Sequence, residues 1–320
     1  MINVFGDPSE NPASGCQILI LSDGKPGHLN QSIAFARLLR RGYRVARVRF
    51  RNRLCKGLSY LLDRIGMYSP WLFQIEGEVA PARVVVSTGS STYYANRVLA
   101  RKLAARSIVL MWPGGYRPEF DLILAQQHDQ PPERDNLVAI PVNLSAPVSK
   151  GFVDNGPVGT TCVAVIIGGP SKHYHFDLHQ LEQQLQQIFQ AFPDGDFLVT
   201  TSRRTPLEAE VMLENFPFRY RLLFSRQQDN PIPDFLEQAD YVFITEDSTS
   251  MVSEAVCWGR GAVEVLPLSA TGSVNKISQM MNTLAENGCL HRFDGSLGGK
   301  NRKINLSRIL YDSVPESWLR

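Results

Sequence analysis

The stretch ILILSDGKPGHLNQ, residues 18–31, decides the fold. Residues 18–21 are an apolar run of strand character, and residues 32–39 show helical spacing of apolar side chains. Between them, residues 22–31 are rich in Gly, Pro and polar side chains. A strand, a Gly/Pro turn and a helix start are the geometry of an anion or substrate site. Gly24 and Gly27 let the backbone approach a ligand closely. The helix that follows presents free N–H groups and a partial positive charge. Asp23, Lys25 and His28 crowd reactive side chains into the same turn, with Asn30 and Gln31 just behind. No GK[ST] follows the glycines, so this is not a Walker A loop, and it is not GxGxxG. An ordinary βα turn is the plain alternative.

The same alternation extends outward. Residues 17–21, 43–50, 83–87, 107–111 and 121–125 read as strands, and 32–41 and 93–105 as helices. In the second half, 162–167, 197–200, 220–224, 241–244 and 262–266 read as strands. Residues 178–192, 207–215, 232–239, 250–258 and 276–286 read as helices. Such βαβα order argues for parallel sheets covered by helices on both faces. Residues 144–160, rich in Ser, Pro, Gly and Val without periodicity, read as a linker. The expected fold class is α/β: two doubly wound Rossmann-like domains, 1–150 and 151–320, facing a cleft.

Composition agrees with two domains. The chain has 320 residues, 43% of them hydrophobic and 20% charged, which excludes a disordered chain. The net charge of +2 hides an asymmetry. Residues 1–150 carry 19 Lys/Arg against 11 Asp/Glu, whereas 151–320 carry 14 against 20. The five cysteines (Cys16, Cys55, Cys162, Cys257, Cys289) are scattered without ligand spacing. That argues against a zinc site or disulfide framework and for a reducing compartment. No basic-then-apolar leader pattern opens the chain, and no apolar run approaches the roughly 20 residues that span a bilayer. The expected location is cytoplasmic.

In an open α/β sheet, ligands bind beyond the carboxyl ends of the strands. Six polar clusters follow strands here: SDGKPGH, STGSS with Ser90, and QQHD with His128 and Asp129, then GGPSK, TSRRTP and TEDSTS. Gly168, Gly169, Ser171 and Lys172 could hold a phosphate through backbone N–H groups and a cation. Ser202, Arg203 and Arg204 offer bidentate donors to phosphate oxygens, or else form a solvated helix start. Glu246, Asp247, Ser248, Ser250 and Met251 open a helix, with Ser248 or Ser250 as its cap. Glu254 lies about one turn inside, where a carboxylate suits the two hydroxyls of a ribose; a surface glutamate is the alternative. Asp194-Gly195-Asp196 spells the DxD of a metal–nucleotide motif, but it precedes its strand and reads as a Pro-Asp-Gly turn. No metal and no cofactor are expected.

Together DGKPGHLNQS, QQHD, GGPSKHYHF, TTSRRTP and TEDSTSMVSEA resemble the motifs of the plant mitochondrial-fission "elongated mitochondria" proteins and their bacterial relatives. The resemblance runs from about residue 17 to 290 and keeps the motif order. It implies a glycosyltransferase-B type fold, with the MurG-type N-acetylglucosaminyltransferase as nearest functional analogue. By that resemblance Gly27-His28 matches the first-domain loop, Gly168-Gly169 the diphosphate loop and Ser253-Glu254 the ribose site. It also implies that the tail, 301–320, crosses back to the first domain. Pro170 after the paired glycines, and Met251 in place of a threonine, depart from the MurG-type pattern, so base and sugar do not carry over.

The expected function is metal-independent glycosyl transfer from a nucleotide-sugar donor, with the nucleotide on the second domain and the acceptor and base on the first. Asp23 and His28 are the candidate bases, with Asp129 beside His128 as the second choice. Residues 37–64 carry ten basic residues against the single acid Asp63, and Tyr60, Leu61, Leu62, Ile65, Met67, Tyr68, Trp71, Leu72 and Phe73 lie at the end of that run. Basic and apolar residues together over 37–73 read as an anionic membrane-surface contact. That would make the protein peripheral on the inner face of the cytoplasmic membrane, with a cell-envelope acceptor. A solvated basic strand beside a packed amphipathic helix is the alternative, and no nucleic-acid motif accompanies the charge. A nucleotide-sugar epimerase on the same scaffold and a non-catalytic fission adaptor are the other functional readings.

Overall fold

The computed structural model describes residues 17–79, 81–272 and 276–319. Cys16 and the first residues, searched above for a leader pattern, lie outside them. The chain divides into two compact units. One runs through Ala146 and takes in the segment from Asn305 onward; the other is Pro147–Ile304.

The first unit begins with β1 (Ile18–Ser22), α1 (Pro26–Leu38), β2 (Tyr43–Phe50), α2 (Arg53–Arg64) and β3 (Phe73–Glu76). It continues with β4 (Val84–Thr88), α3 (Tyr93–Leu103), β5 (Arg106–Leu110), β6 (Leu122–Gln126) and β7 (Leu137–Ile140). The sheet order is β3-β2-β1-β4-β5-β6-β7. Every pairing is parallel except β2 with β3. Strands β1, β4 and β6 are buried at every residue, as strands covered on both faces must be. Leu19, Leu21, Val85, Val109 and Ile123 pack with Tyr93, Val98 and Leu99 of α3.

The second unit comprises β8 (Cys162–Ile167), β9 (Tyr174–His175), α4 (Leu178–Ala191), β10 (Asp196–Thr201), α5 (Leu207–Leu213) and β11 (Tyr220–Leu222). Then come α6 (Ile232–Gln238), β12 (Tyr241–Thr245), α7 (Thr249–Cys257), β13 (Ala262–Leu266), β14 (Ser269–Ala270), α8 (Lys276–Glu286) and β15 (His291–Arg292). Its sheet, β11-β10-β8-β12-β13-β15, is parallel throughout. A separate antiparallel ribbon pairs β9 with β14. Helix α9 (Leu306–Ser313) packs against α1 in the first unit.

Two local expectations need correction. The first helix does not begin at residue 32 but at Pro26, because Pro26 occupies its first turn, where a missing N–H costs nothing. Gly27, His28, Asn30 and Gln31 are therefore helical, and the loop shrinks to Asp23–Lys25. Gly27 meets no crowding: a Cβ there would find nothing within 4 Å. The stretch 144–160 lacks regular structure, yet part of it is tied down. Asp234 accepts hydrogen bonds from the Ser149 hydroxyl and from the N–H groups of Lys150, Gly151 and Phe152. Among the described residues, no helix is long and apolar enough to cross a membrane.

Candidate functional site

Strands β1 and β4 are neighbours, while β2 and β5 flank them on opposite sides. At such a split, a crevice opens beyond the carboxyl ends of the two strands. The turn after β1 is held by its own side chains. Ser22 Oγ accepts the Gly24 N–H at 3.1 Å, and Asp23 Oδ1 accepts the Lys25 N–H at 3.1 Å. Gly24 has φ +83°, a conformation that favours glycine. Asp23 Oδ2 lies 3.0 Å from His28 Nδ1 in the first turn of α1. The Asp23 side chain is 5% exposed and that of His28 22%, so the imidazole is the member that reaches solvent.

Burial works against the charged form of Asp23, but the His28 and Lys25 N–H hydrogen bonds and the charge nearby outweigh it. The net effect is a pKa below the usual carboxylate value. An ionised carboxylate only accepts hydrogen bonds. His28 Nδ1 therefore carries the proton, which leaves Nε2 with a lone pair able to take another.

The loop after β4 supplies a second wall, which the sequence reading found only in part. Gly89 has φ +89°, and a Cβ there would stand 2.4 Å from His28 Cε1. Lys56 Nζ of α2 donates to Ser90 Oγ at 3.4 Å and to Ser91 Oγ at 3.3 Å. Gly89 and Lys56 were legible only as members of a loop and a basic run, since their partners are remote in sequence. Lys25 is exposed, 4.0 Å from Asp23. Gln31 Oε1 accepts from Gln126 Nε2 at 3.2 Å and so ties α1 to the end of β6. Asn30 is exposed on α1. His128 and Asp129 lie in the short turn beyond β6, further along the sheet.

In the second unit the split falls between β8 and β12. Gly168 N–H donates to Thr245 Oγ1 at 2.7 Å, and Gly169 N–H to Asp247 Oδ2 at 3.2 Å. A Cβ on Gly168 would stand 2.1 Å from Asp247 Oδ1, and one on Gly169 would stand 2.1 Å from the Arg204 carbonyl oxygen. Close approach of neighbouring loops thus demands both glycines. Thr205 Oγ1 donates to the Gly168 carbonyl at 2.5 Å and accepts the Ser202 N–H at 2.8 Å, which knits two of those loops together.

The sequence reading set Glu246, Asp247 and Arg204 against the ligand; in the structure both carboxylates are buried and held by protein groups, and Arg204 pairs with Asp247. Asp247 is buried and pairs with Arg204 Nη2 at 2.5 Å. Glu246 is buried, accepts the Leu268 N–H at 2.7 Å and pairs with Arg292 at 2.8 Å. Burial pushes both carboxyl groups above their ordinary values despite these partners. The acidic pair therefore acts on the site through the loops it holds. Ser248, not Ser250, caps α7: its Oγ accepts the Met251 N–H at 3.4 Å, and Ser250 is inside the helix.

Around this framework, Ser171 Oγ accepts the His173 N–H at 3.1 Å, and Ser202 Oγ accepts the Arg204 N–H at 3.3 Å. Lys172 and Arg203 are exposed, and neither side chain has a hydrogen bond or ion pair among the described residues. Met251 and Glu254 are half-buried on α7. Glu254 has no side-chain partner among the described residues, and burial pushes its pKa up to about 7. The Asp194–Asp196 segment turns through Gly195 N–H to the Phe192 carbonyl at 3.0 Å. Asp196 then pairs with Arg219 at 2.6 Å at the amino end of β10, away from these loops.

Residues 26–309 match the model of a family described as mitochondrial fission ELM1. An uncharacterized protein, RP120, of Rickettsia prowazekii (strain Madrid E) is 26% identical over 294 residues, spanning 76% of this chain and 81% of that one. Among solved structures, the glycotransferase of kitacinnamycin aligns with a TM-score of 0.51 at 15% identity, covering 88% of this chain and 87% of that one. A putative UDP-N-acetylglucosamine 2-epimerase from Listeria monocytogenes aligns with a TM-score of 0.50 at 10% identity, covering 94% and 88%. These likenesses show the fold: two Rossmann-like units of the glycosyltransferase-B type.

Proposed function

The chain belongs to the mitochondrial fission ELM1 family, and from its two strand-edge sites we propose that it transfers a sugar from a nucleotide-sugar to an acceptor hydroxyl without a metal ion. The observation that carries this reading is the Asp23–His28 pair at 3.0 Å, beyond the split between β1 and β4. As the acceptor oxygen bonds to the anomeric carbon, His28 Nε2 takes its proton, and Asp23 stabilises the imidazolium that forms. The bond from that carbon to the diphosphate breaks, and its electron pair leaves with the diphosphate. The second unit holds the donor. The N-terminus of α7, Lys172 and Arg203 meet the diphosphate charge, and Glu254 takes the ribose hydroxyls. The acceptor is held at the inner face of the cytoplasmic membrane and belongs to the cell envelope. The basic and apolar stretch 37–73 supports that part of the reading.

A thermal-shift screen against UDP, GDP, CMP, dTDP and ADP tests the donor. A ligand at 100 times its Kd adds about 2.7 kcal/mol of stability, and one base is expected to do so. No stabilisation by any of them would put the non-catalytic adaptor reading ahead of the enzyme. With the donor known, His28→Ala and Asp23→Asn are expected to slow transfer by about 10²–10⁴-fold with nucleotide binding retained. Transfer unchanged in both variants would refute the base assignment, and a product that keeps its nucleotide would point to epimerisation. EDTA is expected to leave turnover intact.

A further inference from the structure

Helix α2 is exposed along an unusually apolar outer face. Its inward face is mixed: Cys55, Ser59 and Asp63 are buried, and Tyr60 and Leu62 pack half-buried against the core. Ser59 Oγ bonds the Tyr116 hydroxyl at 2.9 Å. Asp63 accepts from Arg97 Nη1 at 2.9 Å, from the Arg117 N–H at 2.7 Å and from the Tyr68 hydroxyl at 3.2 Å. The outward face is aliphatic: Leu54, Leu58, Leu61 and Ile65 follow one another at helical spacing, with Leu54 84% and Ile65 62% exposed. Met67 and Trp71 continue the patch beyond the helix, Trp71 being 63% exposed. Among the described residues twelve large apolar side chains are exposed, and these six fall within 54–71. Scattered apolar residues on a surface need no explanation, but a contiguous patch does.

The rim of the patch is cationic. Arg51, Arg53 and Arg64 are exposed, and none has a carboxylate partner among the described residues. Arg51 instead stands over the Trp71 ring, 5.6 Å from its centroid. The single acid of the stretch, Asp63, is buried against Arg97. The outward face of the helix therefore offers methyl groups framed by guanidinium groups, an apolar surface with a positive rim that complements anionic headgroups over an acyl layer. Aliphatic side chains enter an acyl layer, while long basic side chains and a tryptophan settle at the headgroups.

We infer that α2 and the Met67–Trp71 segment dock the protein onto an anionic lipid bilayer. The inference deepens the membrane part of the proposed function and rests on it for the acceptor's location, but it does not depend on transfer chemistry. The same helix reaches the candidate site. Lys56, two residues on from Leu54, bonds Ser90 and Ser91, next to the Gly89 that touches His28. Docking through α2 would thus bring the Asp23–His28 edge toward the lipid headgroups, where an acceptor anchored in the bilayer is found.

The test is co-sedimentation of the full chain with phosphatidylcholine vesicles, with and without phosphatidylglycerol, at low and high salt. Wild type is expected to bind only the vesicles containing phosphatidylglycerol, and less at high salt. L54S/L61S is expected to weaken binding at least about tenfold. R53E/R64E is expected to weaken it about tenfold and remove most of the salt dependence. All four side chains are exposed, so both variants should melt with wild type and keep any nucleotide-induced shift. Wild type ignoring anionic vesicles at low salt would overturn the inference, as would L54S/L61S binding like wild type. Dimers that L54S/L61S dissolves, in a protein that ignores vesicles, would assign the patch to a second copy and also overturn it. Wild type that ignores the vesicles yet keeps its nucleotide shift would sink this inference and leave the donor reading; wild type that binds the vesicles with no nucleotide shift would sink the donor reading alone.

Discussion

Replacing Gly89 with alanine tests the geometry of the first site without touching a charged group. Gly89 has φ +89°, and left-handed backbone costs an L-residue about 1–2 kcal/mol. The added methyl would also stand 2.4 Å from His28 Cε1 and 2.5 Å from Nδ1. An ordinary carbon contact needs about 3.5 Å, so the ring must retreat by roughly 1 Å. His28 Nδ1 is 3.0 Å from Asp23 Oδ2, and a shift of that size takes the pair out of hydrogen-bond range. At roughly 2–4 °C per kcal/mol for a unit of this size, the backbone term alone lowers Tm by about 2–8 °C. Transfer should fall by about 10²–10⁴-fold, as in His28→Ala, while nucleotide binding is kept. Gly27→Ala is the control: it is helical with open space around it, so stability should hold or rise by up to about 1 kcal/mol. Circular-dichroism melts and transfer rates measure both. A Gly89→Ala protein melting within about 1 °C of wild type at full turnover would refute the reasoning.

Two further perturbations probe buried charge. Asp63→Ala leaves Arg97 buried without its carboxylate and should cost about 3–5 kcal/mol in denaturant unfolding; a loss below about 1 kcal/mol would mean the pair is solvated. Glu254→Gln should change the pH dependence of stability. Burial holds the folded Glu254 at about 7 against 4.5 unfolded, so ionising it costs stability. The penalty is absent below about pH 4.5, grows as pH rises through the interval and is complete above about pH 7. The variant should match wild type at the acid end and exceed it by about 2–3 kcal/mol at pH 8; a flat difference across that range would contradict a half-buried carboxylate without a side-chain partner.

The parts of this molecule legible in the sequence are those whose physics is local. Apolar runs such as 18–21, 84–86 and 163–167 announced strands buried on both faces, and the polar clusters behind them marked the carboxyl edges. What escaped depends on partners far along the chain. Strand β3 alternates Phe, Gln, Ile and Glu over four residues, too short to stand out before it pairs with β2. Helix α2 stood only as an alternative reading because Leu54, Leu58 and Leu61 face outward while Cys55, Ser59 and Asp63 are buried, which blurs the pattern of a packed helix. Gly89 reads as an ordinary loop glycine until His28 is brought against it, and the crowding of Gly169 by the Arg204 carbonyl is equally invisible in the sequence.

The acidic pair Glu246-Asp247 carries the argument one step further. A carboxylate in a strand-edge motif reads alike whether it meets a ligand or another loop, and burial is what separates the two. Both of these are buried and committed, to Leu268 and Arg292 in one case and to Gly169 and Arg204 in the other. The charge left over at that edge is therefore not the conspicuous Glu-Asp pair. It is Lys172 and Arg203, exposed and uncommitted among the described residues, beside a glycine loop too tight for any side chain. With Glu246 and Asp247 spent internally and Lys172 and Arg203 uncommitted among the described residues, that edge is electrostatically prepared for an anion such as the phosphates the nucleotide screen offers it.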